Sequence, residues 1–107
     1  MMLDADLESV QQVRNCLKEA SAAQKKLEKL SQSEIDRIVA RMCEAACREA
    51  KRLARLAVEE TGFGIVADKT TKNLFAARDV YEAIKDMKTV GIIAKDEGKQ
   101  VWEVAQP

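Results

Sequence analysis

Residues 31–62, SQSEIDRIVARMCEAACREAKRLARLAVEETG, decide the fold. Ser31 and Glu34 stand at capping-box spacing, in which a hydroxyl and a carboxylate satisfy free amides at a helix start, so a helix begins at Gln32. Ile35, Ile38, Val39, Met42, Ala46, Leu53, Leu56 and Ala57 then form one apolar stripe at about 100° per residue. Cys43, Cys47, Ala50, Ala54 and Val58 widen that stripe to over half the circumference. A helix this apolar must be covered from two sides, and one neighbouring helix cannot do it. Thr61-Gly62 ends the helix, because glycine takes the left-handed cap without penalty. The other face carries Arg37, Arg41, Arg48, Lys51, Arg52 and Arg55, with Glu44–Arg48 and Arg55–Glu59 at ion-pair spacing. No aromatic side chain is interleaved to stack a base, so this face is solvated rather than a nucleic-acid surface.

Toward the amino terminus, Leu3, Leu7, Val10, Val13, Leu17, Ala20, Leu27 and Leu30 recur in steps suited to one side of a helix. Asp4 or Asp6 caps it, and Glu8 adds negative charge at the positive end of the helix dipole. Toward the carboxyl terminus, Gly62-Phe-Gly-Ile-Val66 is an irregular apolar link. A third helix is predicted from about Asp68 to Lys88, with Leu74, Ala77, Tyr81 and Ile84 on one face. The pattern then changes. Val90-Gly-Ile-Ile93, a turn at Asp96–Lys99 and Gln100-Val-Trp-Glu-Val104 predict a β-hairpin. Two strands alone are marginal in water, so this hairpin needs a sheet or a second chain. The fold class is α+β: three helices followed by a hairpin.

The 107 residues suit one small domain or a piece of a larger one. Eighteen basic side chains balance 18 acidic ones, which leaves no global field for nucleic acid or an anionic membrane. The apolar runs are far shorter than the roughly 20 residues of a membrane span. Asp4, Asp6 and Glu8 break any basic-then-apolar leader, and the expected location is the cytoplasm. There is no histidine, so imidazole bases and ligands are excluded within the chain. Cys16, Cys43 and Cys47 are too few for a disulfide framework, and zinc needs four ligands, or three and a water. They read as small buried thiols. Gly62-x-Gly64 closes a helix instead of following a strand, which fails the dinucleotide fingerprint. No catalytic constellation assembles, and none of the chain's residues is expected to be catalytic, cofactor-binding or metal-binding.

Several short motifs occur in a telling order: Glu60-Thr-Gly-x-Gly64, Asp68-Lys-x-x-Lys-Asn73, Lys88-Thr-x-Gly91, and finally Glu103-Val-Ala-Gln-Pro107. In this order they resemble the amino-terminal part of CoA-acylating aldehyde dehydrogenases, including the aldehyde half of bifunctional aldehyde-alcohol dehydrogenases. The resemblance runs from the second helix to the last residue and more weakly through the first helix.

It implies an NAD-dependent reaction in which aldehyde and CoA give acyl-CoA and NADH, or the reverse. The parent would have the α/β aldehyde dehydrogenase fold and a nucleophilic cysteine far beyond Pro107. NAD and CoA would be cofactors of the parent and would not be bound by this segment. Residues 1–88 would be the helical amino-terminal part of the nucleotide-binding domain. Residues 89–107 would be a hairpin of the bridging sheet, joining homo-oligomers through Val101, Trp102 and Val104. Lys69, Lys72 and Asn73 would lie at the substrate entrance. The first helix would offer Leu3, Leu7, Val10 and Leu17 for docking to a bacterial microcompartment shell. A free-standing helical interaction module, whose first two helices bind a partner, is the alternative.

Overall fold

A computed structural model describes residues 4–106. They divide into two units: residues 32–88, and the flanking segments up to residue 31 and from residue 89.

The 32–88 unit is built on α2 (Gln32–Thr61), which has the bounds predicted from its cap and its glycine. Gly62 adopts φ +69° and its amide donates to the Val58 carbonyl at 2.8 Å, a left-handed stop. Thr61 seals the same end. Its hydroxyl donates to the Ala57 carbonyl at 2.6 Å and accepts from the Phe63 amide at 3.2 Å.

The third helix differs from the predicted one in start, end and pitch. It begins at Val66, and the Lys69 amide donates to the Ile65 carbonyl at 3.0 Å in the first turn. Asp68 therefore lies inside that turn, where its charge still meets the positive end of the helix dipole. The helix runs as α3 (Val66–Leu74), a π-helical segment (Phe75–Val80) and α4 (Tyr81–Ile84), and so stops short of Lys88. In the π segment the hydrogen bonds reach one residue further than in an α-helix.

Three alanines form the core of this unit: Ala50 and Ala54 of α2 and Ala77 of the π segment. Small side chains allow close approach, and the Asn73 amide crosses the seam to donate to the Ala50 carbonyl at 3.0 Å. No large side chain among the described residues is fully buried. On α2, Met42 remains 64% exposed and Leu53 44%, so one flank of its wide stripe is covered and the other is open.

In the flanking unit, α1 (Ala5–Leu27) is exposed along its whole length. Its apolar stripe is real, with Leu7, Val10, Val13 and Leu17 exposed; Leu3 lies outside the described residues. Asp4 occupies the N-cap with extended angles, but its side chain makes no capping hydrogen bond. Asp6 and Glu8 stand in the first turn and Lys25 and Lys26 in the last, a charge order that suits the dipole.

The predicted hairpin is present as β1 (Gly91–Asp96) and β2 (Val101–Ala105), paired antiparallel. The first strand runs three residues further than Ile93, and the turn shifts to residues 97–100. The Asp96 carboxylate accepts the Lys99 amide at 3.0 Å, and Gln100 takes φ +52°, which explains the shift: Gln100 closes the turn and cannot begin the strand. A bulge between Ile92 and Ala94 lets Ile92 oppose Val104 while Lys95 opposes Trp102.

Candidate functional site

The stretch from Thr61 to Asn73 holds most of the residues singled out from the sequence. Gly64, at φ +87°, takes a conformation that a side chain would strain. A Cβ there would also lie 2.5 Å from the Lys69 Cε, because the lysine stem lies across the glycine. Lys69 is thus half-buried, Lys72 is exposed on the next turn, and the amide of Asn73 is committed to Ala50. Asn73 lines a cleft with Met42 and Leu53 that neither lysine lines. Phe63 and Ile65 beside them are 77% and 65% exposed, an apolar rim to the loop.

This loop does not fit a nucleotide. A phosphate cradle needs amides opened by glycine toward the ligand. Here Gly62 spends its amide on the helix end and a lysine stem covers Gly64.

The charged face of α2 is paired within itself, in a register different from the predicted one. Glu44 meets Arg41 at 2.9 Å rather than Arg48, and Glu49 meets Arg52. The Arg52 hydrogen bond, and then its charge, hold the Glu49 carboxyl below its ordinary value. On the third helix Asp79 is held low by Arg78 at 2.8 Å, and Lys85 is held high by Glu82 at 2.7 Å. All of these are exposed pairs of the kind worth little in stability.

None of the three thiols is fully buried, contrary to the expectation from the sequence. Cys16 is exposed on α1, whereas Cys43 and Cys47 are half-buried on α2. These two share a cleft of about 470 Å³ with Arg48 and with Arg78 of the π segment. Periodicity within α2 puts most of its arginines on the far side and gives no sign of Arg78. Among the described residues no group of three or more carboxylates or thiols is placed to hold a metal.

On the hairpin, Val101, Trp102 and Val104 are all about half exposed. The Lys95 ammonium stands 4.4 Å from the Trp102 ring centre and covers one of its faces. No helix among the described residues is long and apolar enough to cross a membrane.

No family model matches the chain. The aldehyde-alcohol dehydrogenase of Clostridium acetobutylicum is 39% identical over 99 residues, covering 92% of this chain and 12% of that protein. The crystal structure of an acetylating aldehyde dehydrogenase from Geobacillus thermoglucosidasius matches with a TM-score of 0.87. Identity to it is 67%, over 99% of this chain and 24% of that one. The chain matches the amino-terminal region of acetylating aldehyde dehydrogenases. A probable aldehyde dehydrogenase from Listeria monocytogenes EGD-e matches with a TM-score of 0.83 at 49% identity, over 95% of this chain and 22% of that one. The chain spans about an eighth of that curated relative's length and under a quarter of the two solved chains. The matched part is the amino-terminal region, and the three helices with their hairpin are a piece of the aldehyde dehydrogenase fold.

Proposed function

We propose that this chain is the amino-terminal part of an NAD-dependent, CoA-acylating aldehyde dehydrogenase, with roles in fold and assembly and no catalytic residue of its own. The observation that carries this reading is the 67% identity, at a TM-score of 0.87, to an acetylating aldehyde dehydrogenase across 99% of the chain. In the complete enzyme NAD would accept a hydride and CoA an acyl group. The chain's own contribution would be cover and contact. The open flank of α2, with Met42 and Leu53, would pack on the nucleotide-binding domain to which residues 1–88 belong. The hairpin of residues 89–107 would join a bridging sheet through Val101, Trp102 and Val104 and so build a homo-oligomer in the cytoplasm.

Lys69 and Lys72 would stand near the substrate entrance, with Asn73 fixing their helix through Ala50. The full exposure of α1 supports a second role for it: Leu7, Val10 and Leu17 would dock on a partner surface, a microcompartment shell among the options.

The test is an assay of the complete gene product with acetaldehyde, NAD+ and CoA. Acetyl-CoA and NADH should form in equal amounts, and residues 1–107 alone should form neither. NADH formation that is indifferent to CoA and leaves free acetate would overturn the acylating assignment.

A further inference from the structure

Cys43 and Cys47 are separated by one helical turn, open onto the same cleft, and take no part in the function proposed above. We propose that they form a two-thiolate site for a soft monovalent cation of the copper(I) type.

Side chains four apart on a helix have Cβ atoms about 5–6 Å apart, whereas a disulfide needs about 3.5–4.5 Å. Direct oxidation to a disulfide would therefore distort α2. An ion held between the sulfurs has no such difficulty. With metal–sulfur bonds of roughly 2.3 Å, as for zinc, a linear S–metal–S unit spans about 4.6 Å.

Ligand number points the same way. Zinc needs at least three protein ligands, and no group of three is available among the described residues. Soft thiolate donors select copper(I) over hard cations, and two thiolates suffice for it. Binding proceeds as two thiols and one Cu+ giving a bis-thiolate complex and two protons, with no change of oxidation state.

That complex carries one negative charge. Arg48 from α2 and Arg78 from the π segment line the cleft that would hold it, Arg78 while also paired through its Nε with Asp79. The acidic groups on the rim are engaged elsewhere, Glu44 by Arg41 and Glu82 by Lys85. A second cleft of about 360 Å³, lined by Met42, Ala46, Leu53 and Asn73, is also reached by Cys43. Of these two clefts, the first alone brings Cys43 together with Cys47, Arg48 and Arg78, so the paired thiols and the positive charge meet there.

The test is an anaerobic titration of the reduced protein with copper(I), supplied as its acetonitrile complex, against the chromophoric chelator bicinchoninate. Cys43→Ser and Cys47→Ser should each remove one tightly bound equivalent, with at least a tenfold loss of affinity at that site. Cys16→Ser should remove none. Arg78→Gln should keep the equivalent and weaken it several-fold. X-ray absorption of the unsubstituted protein, which does not depend on any variant folding, should show two sulfur neighbours at the copper that Cys43 and Cys47 hold. Retention of that equivalent in both serine variants, its loss in Cys16→Ser, or a copper site built from nitrogen and oxygen would overturn the proposal.

Discussion

The two units use helices in opposite ways. In residues 32–88, α2 and the third helix meet through Ala50, Ala54 and Ala77, and a side-chain amide crosses from Asn73 to the Ala50 carbonyl. In the flanking unit α1 is as regular and nearly as long, yet it buries nothing along its length. Amphipathic periodicity is common to both. What separates them is small residues at a seam, which let two backbones approach until a long-range hydrogen bond forms. A stripe of Leu7, Val10, Val13 and Leu17 makes a helix but does not say what it packs on.

That contrast can be broken where it is strongest. Ala54 is 1% exposed, so Ala54→Leu overfills the seam and should cost about 1–3 kcal/mol, read as a lower urea midpoint of the chain. Asn73→Ala removes the cross-seam bond and should cost about 1 kcal/mol, with hydrogen exchange accelerating in α3 more than at the far end of α2. Leu17→Ala on α1, 64% exposed, should stay within about 0.5 kcal/mol in the same titration. If Leu17→Ala matched Ala54→Leu, the distinction between the units would be lost.

The smallest effect concerns pH. Glu49 is held low by Arg52, so its contribution is present above the unfolded carboxylate's titration and lost as pH falls through the lowered native value. Lys85 is held high by Glu82, so its contribution is present below the unfolded lysine's titration and fades as pH rises through the raised native value. Both groups are exposed, so each effect should be slight and should shrink further in high salt. Melting curves of Glu49→Gln from neutral to acid pH check the first: the variant should lose less on acidification than the parent.

Much of the local structure was legible from residues alone. Ser31, Glu34 and Gly62 marked both ends of α2, because capping chemistry is local. The hairpin was legible from its β-branched runs, but its register was not. Gln100 taking φ +52° and the bulge beside Ile93 are choices that the strand pair makes together. The π segment left no mark in the sequence either, since Phe75–Val80 has ordinary helical composition and its wider turn becomes visible only beside α2. Asn73 was assigned to the substrate entrance by resemblance, and nothing nearby in sequence signals a partner 23 residues away. The cleft that joins Cys43 and Cys47 to Arg78 was hidden for the same reason: periodicity within one helix cannot report what a second helix brings to it.

Amide hydrogen exchange on the 107-residue chain, resolved by segment, tests the difference between the two units most directly. Protection should concentrate in residues 32–84, with α1 and the two strands exchanging rapidly because their apolar side chains are exposed. Protection of residues 5–27 and 91–105 equal to that of α2, lost in one cooperative step, would contradict it.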